Sequence, residues 1–312
     1  MTTRSGPPDG QPGPGLDVIM GERRHLVNLA YRLLGSLTEA EDAVQETYAR
    51  WYAMSERQQA AIEAPAAWLT TVASRICLDQ LGSARVRRER YVGEWIPEPL
   101  PDPATWISGA PGGGVADPAD RVTLDESVSM AFLVVLDSLT PAERVAFVLH
   151  DIFRYSFEEV AEITGRSPAA CRKLASSARH RLDVARPPAA PAMAGHASVI
   201  RDFKRAWDAG DIDAILGLLD PDAVAIADGG GLVPAALLPI EGRERIGRYF
   251  MEIARNVASL NLLERTVNGQ PGLVGLQDGV IVTVFAFDIA DDRITRIWAV
   301  RNPDKLRPWT TA

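Results

Sequence analysis

The run from Ser156 to Leu182, SFEEVAEITGRSPAACRKLASSARHRL, leaves the chain little choice but two short helices joined by a tight turn. Ser156 and Glu159 have the spacing of a capping box, in which each side chain satisfies the other residue's free backbone N–H. Gly165 stands where a left-handed residue closes a helix. Ser167 caps the next helix, and Pro168 takes its first position, where the missing N–H is not needed. Cys171, Leu174, Ala175, Ala178 and Leu182 then recur at three- and four-residue spacing and form one apolar face. The opposite face carries Arg172, Lys173, Ser176, Arg179 and His180. A helix with a buried stripe and a basic, hydroxyl-bearing outer face suits the major groove of DNA, so the stretch reads as a helix-turn-helix. An ordinary helical hairpin with a solvated charged face fits the same residues.

The chain has 312 residues, 46% apolar and 24% charged, enough for two or three domains with cores of their own. No apolar run approaches the roughly 18 to 20 residues of a membrane span, and no charged-then-apolar leader opens the sequence. The expected location is the cytoplasm, with no membrane partner. Cys77 and Cys171 each sit in an apolar helical stripe without a CxxC or histidine neighbour, so they read as reduced core thiols rather than as a disulfide or metal site. No metal and no cofactor is expected. A net charge of −8 opposes unaided binding to nucleic acid. Against that, Arg85, Arg87, Arg88 and Arg90 are clustered. Such a chain suits work inside a larger, basic machine.

Residues 1–16 are dominated by Gly, Pro and polar side chains and read as a disordered tail. Helices follow from Asp17 to Leu34, closed by Gly35, and from a capping box at Thr38 and Glu41 to about Met54. On the second, Val44, Tyr48, Trp51 and Tyr52 are the expected packing residues, and Asp42, Gln45 and Glu46 form a separate acidic-polar stripe. A long helix opens at Pro65 with Trp68, Leu69, Val72, Ala73, Ile76 and Leu81 apolar, and runs into the arginine cluster. Prolines and glycines over 96–118 mark a linker, although Trp95-Ile96-Pro97-Glu98-Pro99 is too specific in composition for a bare spacer. A helix over 118–138 and a third capping box, Thr140 with Glu143, lead into the helix-turn-helix. The helical part divides as 17–95 and 119–185, and a Pro/Ala-rich linker covers 186–195. From 196 to 312 helices come first, at 199–209, 212–219 and 243–255. Period-two segments then follow, read as an antiparallel sheet wrapped on the helices, with a further short strand at 224–227. The fold class is two all-α domains followed by an α+β domain.

Three landmarks carry a family resemblance: Asp42-x-x-Gln45-Glu46 followed by Tyr48 and Trp51, the Trp68-Leu69 helix, and TPAERVAFVL running into the helix-turn-helix. In order and spacing they resemble RNA polymerase sigma factors of the extracytoplasmic-function type. The remainder resembles a SnoaL-like cone, and WIPEP, DGGG and NPDKL look like the signature of the subgroup in which that domain is fused. The resemblance implies that residues 17–95 are sigma domain 2, that 119–185 are sigma domain 4, and that the partners are core RNA polymerase, at its clamp and flap regions, and promoter DNA. Asp42, Gln45 and Glu46 then grip the clamp. Trp68, Arg75, Arg85, Arg87 and Arg88 meet the −10 element, where a base is flipped out of the stack. Arg172, Lys173 and Ser176 read the −35 element and Arg179 and His180 hold phosphate.

For the cone, two uses stay open. Asp228, Asp288 and Arg296 could line a cavity walled by Trp207, Phe250, Phe285 and Trp298, which suits a small-molecule ligand or a cyclase- or isomerase-type reaction. The domain's one histidine, His196, falls outside the strands, so no Asp–His dyad is expected, and no catalytic residue is assigned. The other use is regulation in cis, which the resemblance favours. Asp228, Gly229, Gly230 and Gly231 form a flexible turn and Asn302, Pro303, Asp304 and Lys305 a polar tail, docking together on domain 2 and on Trp95 and Pro97 of the linker.

Overall fold

The computed structural model describes residues 21–88, 91–101, 129–185, 193–257 and 259–310. The N-terminal tail, most of the 96–118 linker, the first half of the 118–138 helix and much of the 186–195 linker lie outside them.

The first helical module is α1 (Arg23–Leu34), α2 (Leu37–Tyr52), α3 (Glu56–Ala60) and α4 (Pro65–Arg88). Gly35 closes α1 in the left-handed conformation, φ +73°, as expected. Helix α2 starts two residues earlier than the sequence suggests. Ser36, extended immediately after Gly35, is its N-cap and takes the Glu39 N–H, so Thr38 and Glu41 do not form the expected box. The short α3, with its own Ser55–Gln58 capping box, lies between α2 and α4. Tyr52, expected in the core, is 53% exposed, whereas Val44 and Trp51 are buried.

The second module is α5 (Met130–Asp137), α6 (Pro141–Phe147), a π-helical turn (Val148–Ile152), α7 (Phe157–Thr164) and α8 (Pro168–Ala185). The boxes at Thr140–Glu143 and Ser156–Glu159 both form, and Gly165 has φ +65°. Cys171, Ala175 and Ala178 of α8 are buried, whereas Arg172, Lys173, Ser176, Arg179 and His180 are exposed. The two modules share one core, in which Leu26, Leu29 and Leu33 of α1, Leu69 and Cys77 of α4, Val145 of α6 and Cys171 of α8 belong to a single buried cluster.

In the third part, α9 (Met193–Ala209), α10 (Ile212–Leu218) and α11 (Arg243–Asn256) pack on a six-stranded sheet. Its strands are β1 (Leu219–Asp228), β2 (Ile240–Glu241), β3 (Leu260–Val267), β4 (Gln270–Gln277), β5 (Val280–Ala290) and β6 (Arg293–Val300), in the order β2-β1-β6-β5-β4-β3. The sheet is mixed rather than antiparallel, because β1 runs parallel to β6. Helix α11 carries the chain across, and the meander from β3 to β6 returns beside β1 in the same direction.

Alternation gives the sheet two buried faces. One, with Phe285, Phe287 and Ile297, meets Phe203, Trp207 and Phe250 of the helices. The other, with Val274, Val284, Ala286, Trp298 and Val300, is covered by Ile96 of the linker, Met130 of α5, and Leu306 and Trp309 of the C-terminal turns Pro303–Leu306 and Arg307–Thr310. Trp298, expected to wall the cone, is therefore part of the seam between the sheet and the helical modules.

Candidate functional site

Three surfaces hold the candidate residues. On α2, Asp42, Gln45 and Glu46 are exposed on one stripe, and Glu46 pairs with Arg50 at 2.5 Å, one turn on. That pair is solvated, so it holds the carboxylate only weakly.

Of the residues expected at the −10 element, Trp68 rests edge-on against Trp51, with ring centroids 5.3 Å apart, and is half-buried in the first module. The Arg75 side chain crosses to the second module. Its guanidinium donates to the carbonyls of Glu162 (2.8 Å) and Ile163 (3.3 Å), the orphan acceptors at the end of α7. The side chains of Arg85, Arg87 and Arg88 lie outside the described residues. On the recognition helix α8, Arg172 stacks over the Phe157 ring at 4.9 Å and Arg179 pairs with Asp151 at 2.8 Å.

The third surface is the seam around 95–101. Asp228 ends β1 and is 1% exposed. One carboxylate oxygen takes the Ile96 N–H (3.0 Å) and the Lys305 ammonium (2.6 Å), and the other takes the Tyr91 hydroxyl (2.6 Å) and the Gly230 N–H (3.0 Å). Lys305 also donates to the Ile96 carbonyl at 2.5 Å and sits over the rings of Trp95 (4.2 Å) and Tyr91 (5.1 Å). Asn302 donates to the Tyr91 oxygen at 2.8 Å. Burial, and then the hydrogen bond to Asp228, push the Tyr91 phenol up, so it stays a proton donor.

The DGGG turn is tight rather than flexible. A Cβ on Gly229 would collide with the Val233 carbonyl, and Gly230, at φ +63°, abuts the Asn302 side chain. Pro303 and Asp304 face solvent, and Asp304 pairs with Arg307 of its own turn. Within the tail, therefore, Asn302 reaches Tyr91 and Lys305 reaches the linker at Ile96, while Asp304 reaches neither. Pro97 is buried against Gly35.

Four residues at this seam were not singled out from the sequence, although Glu98 lies within the WIPEP stretch. Tyr31 of α1 donates to the Glu98 carbonyl (2.6 Å) and accepts from Asn268 (2.9 Å). Asn268, at the tip of the β3–β4 hairpin, also exchanges two hydrogen bonds with the backbone of Leu100. The Trp309 indole donates to the Pro99 carbonyl at 2.8 Å. Glu98, 2% exposed, takes the Leu37 N–H (2.8 Å) and the Ser36 hydroxyl (3.0 Å). Segment 95–101 is thus held along both edges.

Burial raises the Glu98 carboxyl pKa, opposed by those donors and by the Lys305 charge. The folded chain therefore holds this proton more tightly than the unfolded one, and stability falls as pH rises above the ordinary value of 4.5. Glu98→Gln, which cannot titrate, should flatten the pH dependence of the unfolding midpoint just above that value, as read by urea titration at successive pH values.

Within the cone, Phe203, Phe250, Phe285, Phe287 and Trp207 meet at centroid distances of 5.6 to 6.5 Å and fill the space between helices and sheet. Asp228 points away from this cluster into the seam. Asp288 pairs across strands with Arg296, and its carboxyl is raised by burial, opposed by the charges of Arg296 and His196. His196 therefore lies near Asp288, a proximity not expected from the sequence. Among the described residues no group of three or more metal-ligating side chains occurs, and no helix is long and apolar enough to cross a membrane.

A compact four-helix module, a second module ending in a helix-turn-helix with a basic outer face, and a cone docked on the connection between them define a two-module helix-turn-helix regulator with a fused third domain. Residues 18–87 match the family Sigma-70 region 2 and residues 129–182 match Sigma-70, region 4. The chain is 37% identical over 301 residues to the ECF RNA polymerase sigma factor SigJ of Mycobacterium tuberculosis, covering 91% of this chain and 90% of that relative. It is 36% identical to the probable ECF RNA polymerase sigma factor SigI of the same organism, with 92% of each covered. The crystal structure of Mycobacterium tuberculosis SigJ matches at TM-score 0.71 and 33% identity, over 94% of this chain and 98% of that one. The chain belongs to the extracytoplasmic-function RNA polymerase sigma factors. Its function is that of a sigma factor, and its C-terminal domain has the helices-on-sheet architecture expected of a SnoaL-like cone.

Proposed function

We propose that this sigma factor directs core RNA polymerase to its promoters under control, in cis, of its own C-terminal domain. The observation that carries the reading is the buried Lys305 ammonium, which holds Asp228 of the cone and the Ile96 carbonyl of the connection at once. Residues 17–95 serve as domain 2, 119–185 as domain 4 and 196–312 as the regulatory domain, with 96–118 and 186–195 as connections. Asp42, Gln45 and Glu46 dock on the polymerase clamp. Their exposure on one stripe supports this, and Asp42→Ala with Glu46→Ala should weaken core binding by about tenfold. Arg172, Lys173 and Ser176 face outward for the −35 element, with Arg179 and His180 beside the backbone. The −10 element falls to the Trp68 helix and the arginines that follow it.

The chain acts here as a regulator and not as an enzyme. Engagement of Asp228 by the connection supports this, since it removes that acid from the cone. Reconstituted transcription with core polymerase, comparing the full chain with chains ending at Val300 and at Ala185, tests the proposal. Changed output on removal of residues 301–312 is expected, and identical output from all three chains would refute control in cis.

A further inference from the structure

The corner between α1 and α2 is completed by residues that do not belong to it. A Cβ on Gly35 would stand 2.8 Å from the Trp95 ring, so the corner accepts only hydrogen there. Glu98 donates its N–H to the Gly35 carbonyl at 2.8 Å and presents its carboxylate to the Leu37 N–H and the Ser36 hydroxyl. Leu37 is the first residue of α2, and its N–H has no acceptor inside the helix. Its partner lies 61 positions away in sequence. The residues flanking Glu98 are gripped from the other side by Asp228, Lys305, Asn268 and Trp309 of the C-terminal domain. A helix whose first turn is anchored keeps its direction, whereas one that has lost its cap frays from that end.

We propose that Glu98 is a positioning residue for polymerase docking: its carboxylate anchors the first turn of α2 and so links the C-terminal domain's grip on 95–101 to the aim of Asp42, Gln45 and Glu46. This rests on the reading that α2 docks on polymerase. The cone then influences docking without covering the docking stripe. It acts on the helix from behind, through a connection fixed on both edges.

The test uses the full chain, with two readouts: affinity of labelled protein for core polymerase, and amide exchange over Leu37–Glu41 in the free protein. Glu98→Ala should weaken core binding about five- to tenfold, the order expected from losing a carboxylate at a helix N-terminus while the Ser36 cap stays, and should speed exchange in that first turn. Glu98→Gln keeps one acceptor and should stay within about twofold. Ser36→Asp should rescue the Glu98→Ala chain on both readouts, because aspartate supplies its own carboxylate at the N-cap. The same Ser36→Asp beside an intact Glu98 sets two carboxylates at one corner and should weaken binding. A general loss of stability would not reverse the sign of Ser36→Asp between the two backgrounds.

Unchanged first-turn exchange in Glu98→Ala, or a Ser36→Asp effect of equal sign in both backgrounds, overturns the proposal. If core binding ignores Glu98→Ala but responds to Asp42→Ala, the proposal falls while the docking reading stands. If binding ignores both, the docking reading falls and takes the proposal with it.

Discussion

Replacing Lys305 by methionine should lower the unfolding free energy by about 3 kcal/mol, at the lower end of what breaking a buried ion pair costs. The Asp228 side chain is fully buried and that of Lys305 is 9% exposed, so water cannot replace the lost ammonium. Three donors remain on the carboxylate, from Tyr91, Ile96 and Gly230, and they hold the effect below the upper end of that range. Methionine keeps an apolar stem of similar length and removes the ammonium that lies over Trp95 and Tyr91, so the loss reports charge rather than packing. Asp228→Asn in the same chain should recover most of it, because the uncompensated carboxylate is then gone. Urea unfolding followed by tryptophan fluorescence checks both chains. A Lys305→Met chain as stable as the parent would mean that the ammonium does not bridge the seam. In transcription the single variant should resemble the chain ending at Val300.

The second large effect is expected at the junction of the two helical modules. Arg144 of α6, 3% exposed, donates to the Leu33 carbonyl at the end of α1 (2.9 Å) and to Asp137 (2.7 Å). Arg144→Ala removes a charge-assisted bond to an orphan carbonyl and an ion pair with the half-buried Asp137, which together should cost about 3 kcal/mol. Across the same junction, Arg75 of α4 serves the carbonyls that end α7. Each module therefore completes a helix of the other. Labels on exposed positions of α3 and α8 should report a wider separation in Arg144→Ala. An unchanged distance together with unchanged unfolding would show that the two modules are held by their apolar contacts alone.

What the sequence showed of this molecule follows from how local each signal is. The helix-turn-helix was legible because caps, a left-handed glycine and a three-to-four spacing are satisfied within a few residues, and all of them appear where expected. The strands from β3 to β6 were nearly as clear as period-two segments, and the Asn268-Gly269 and Asp278-Gly279 turns between them adopt positive φ. The parallel pairing of β1 with β6 was not legible, because nothing in β1 records the direction of a strand some seventy residues later. At the seam, Trp95 marked the connection as more than a spacer, but Glu98 between two prolines is indistinguishable from a solvated acid. Tyr31 reads as one more member of the α1 core, and Asn268 as a turn residue. The glycines of DGGG suggested freedom, whereas what excludes larger side chains is crowding by Val233 and Asn302. Arg75 and Arg172 were legible as basic side chains on the right faces, but not as groups already engaged inside the protein.

The order in which a ribosome delivers these parts gives the seam a further meaning. Ile96 and Pro99 meet Lys305 and Trp309 from 209 and 210 positions further along the chain. At ordinary elongation rates that separation is on the order of ten to forty seconds. Through that interval both helical modules can be folded while Ile96, 1% exposed in the finished protein, still waits for the sheet that covers it. A nascent chain therefore displays this apolar side chain until the strands and residues 306–309 have emerged. Synthesis that stops before those residues leaves Ile96 open to chaperones and proteases.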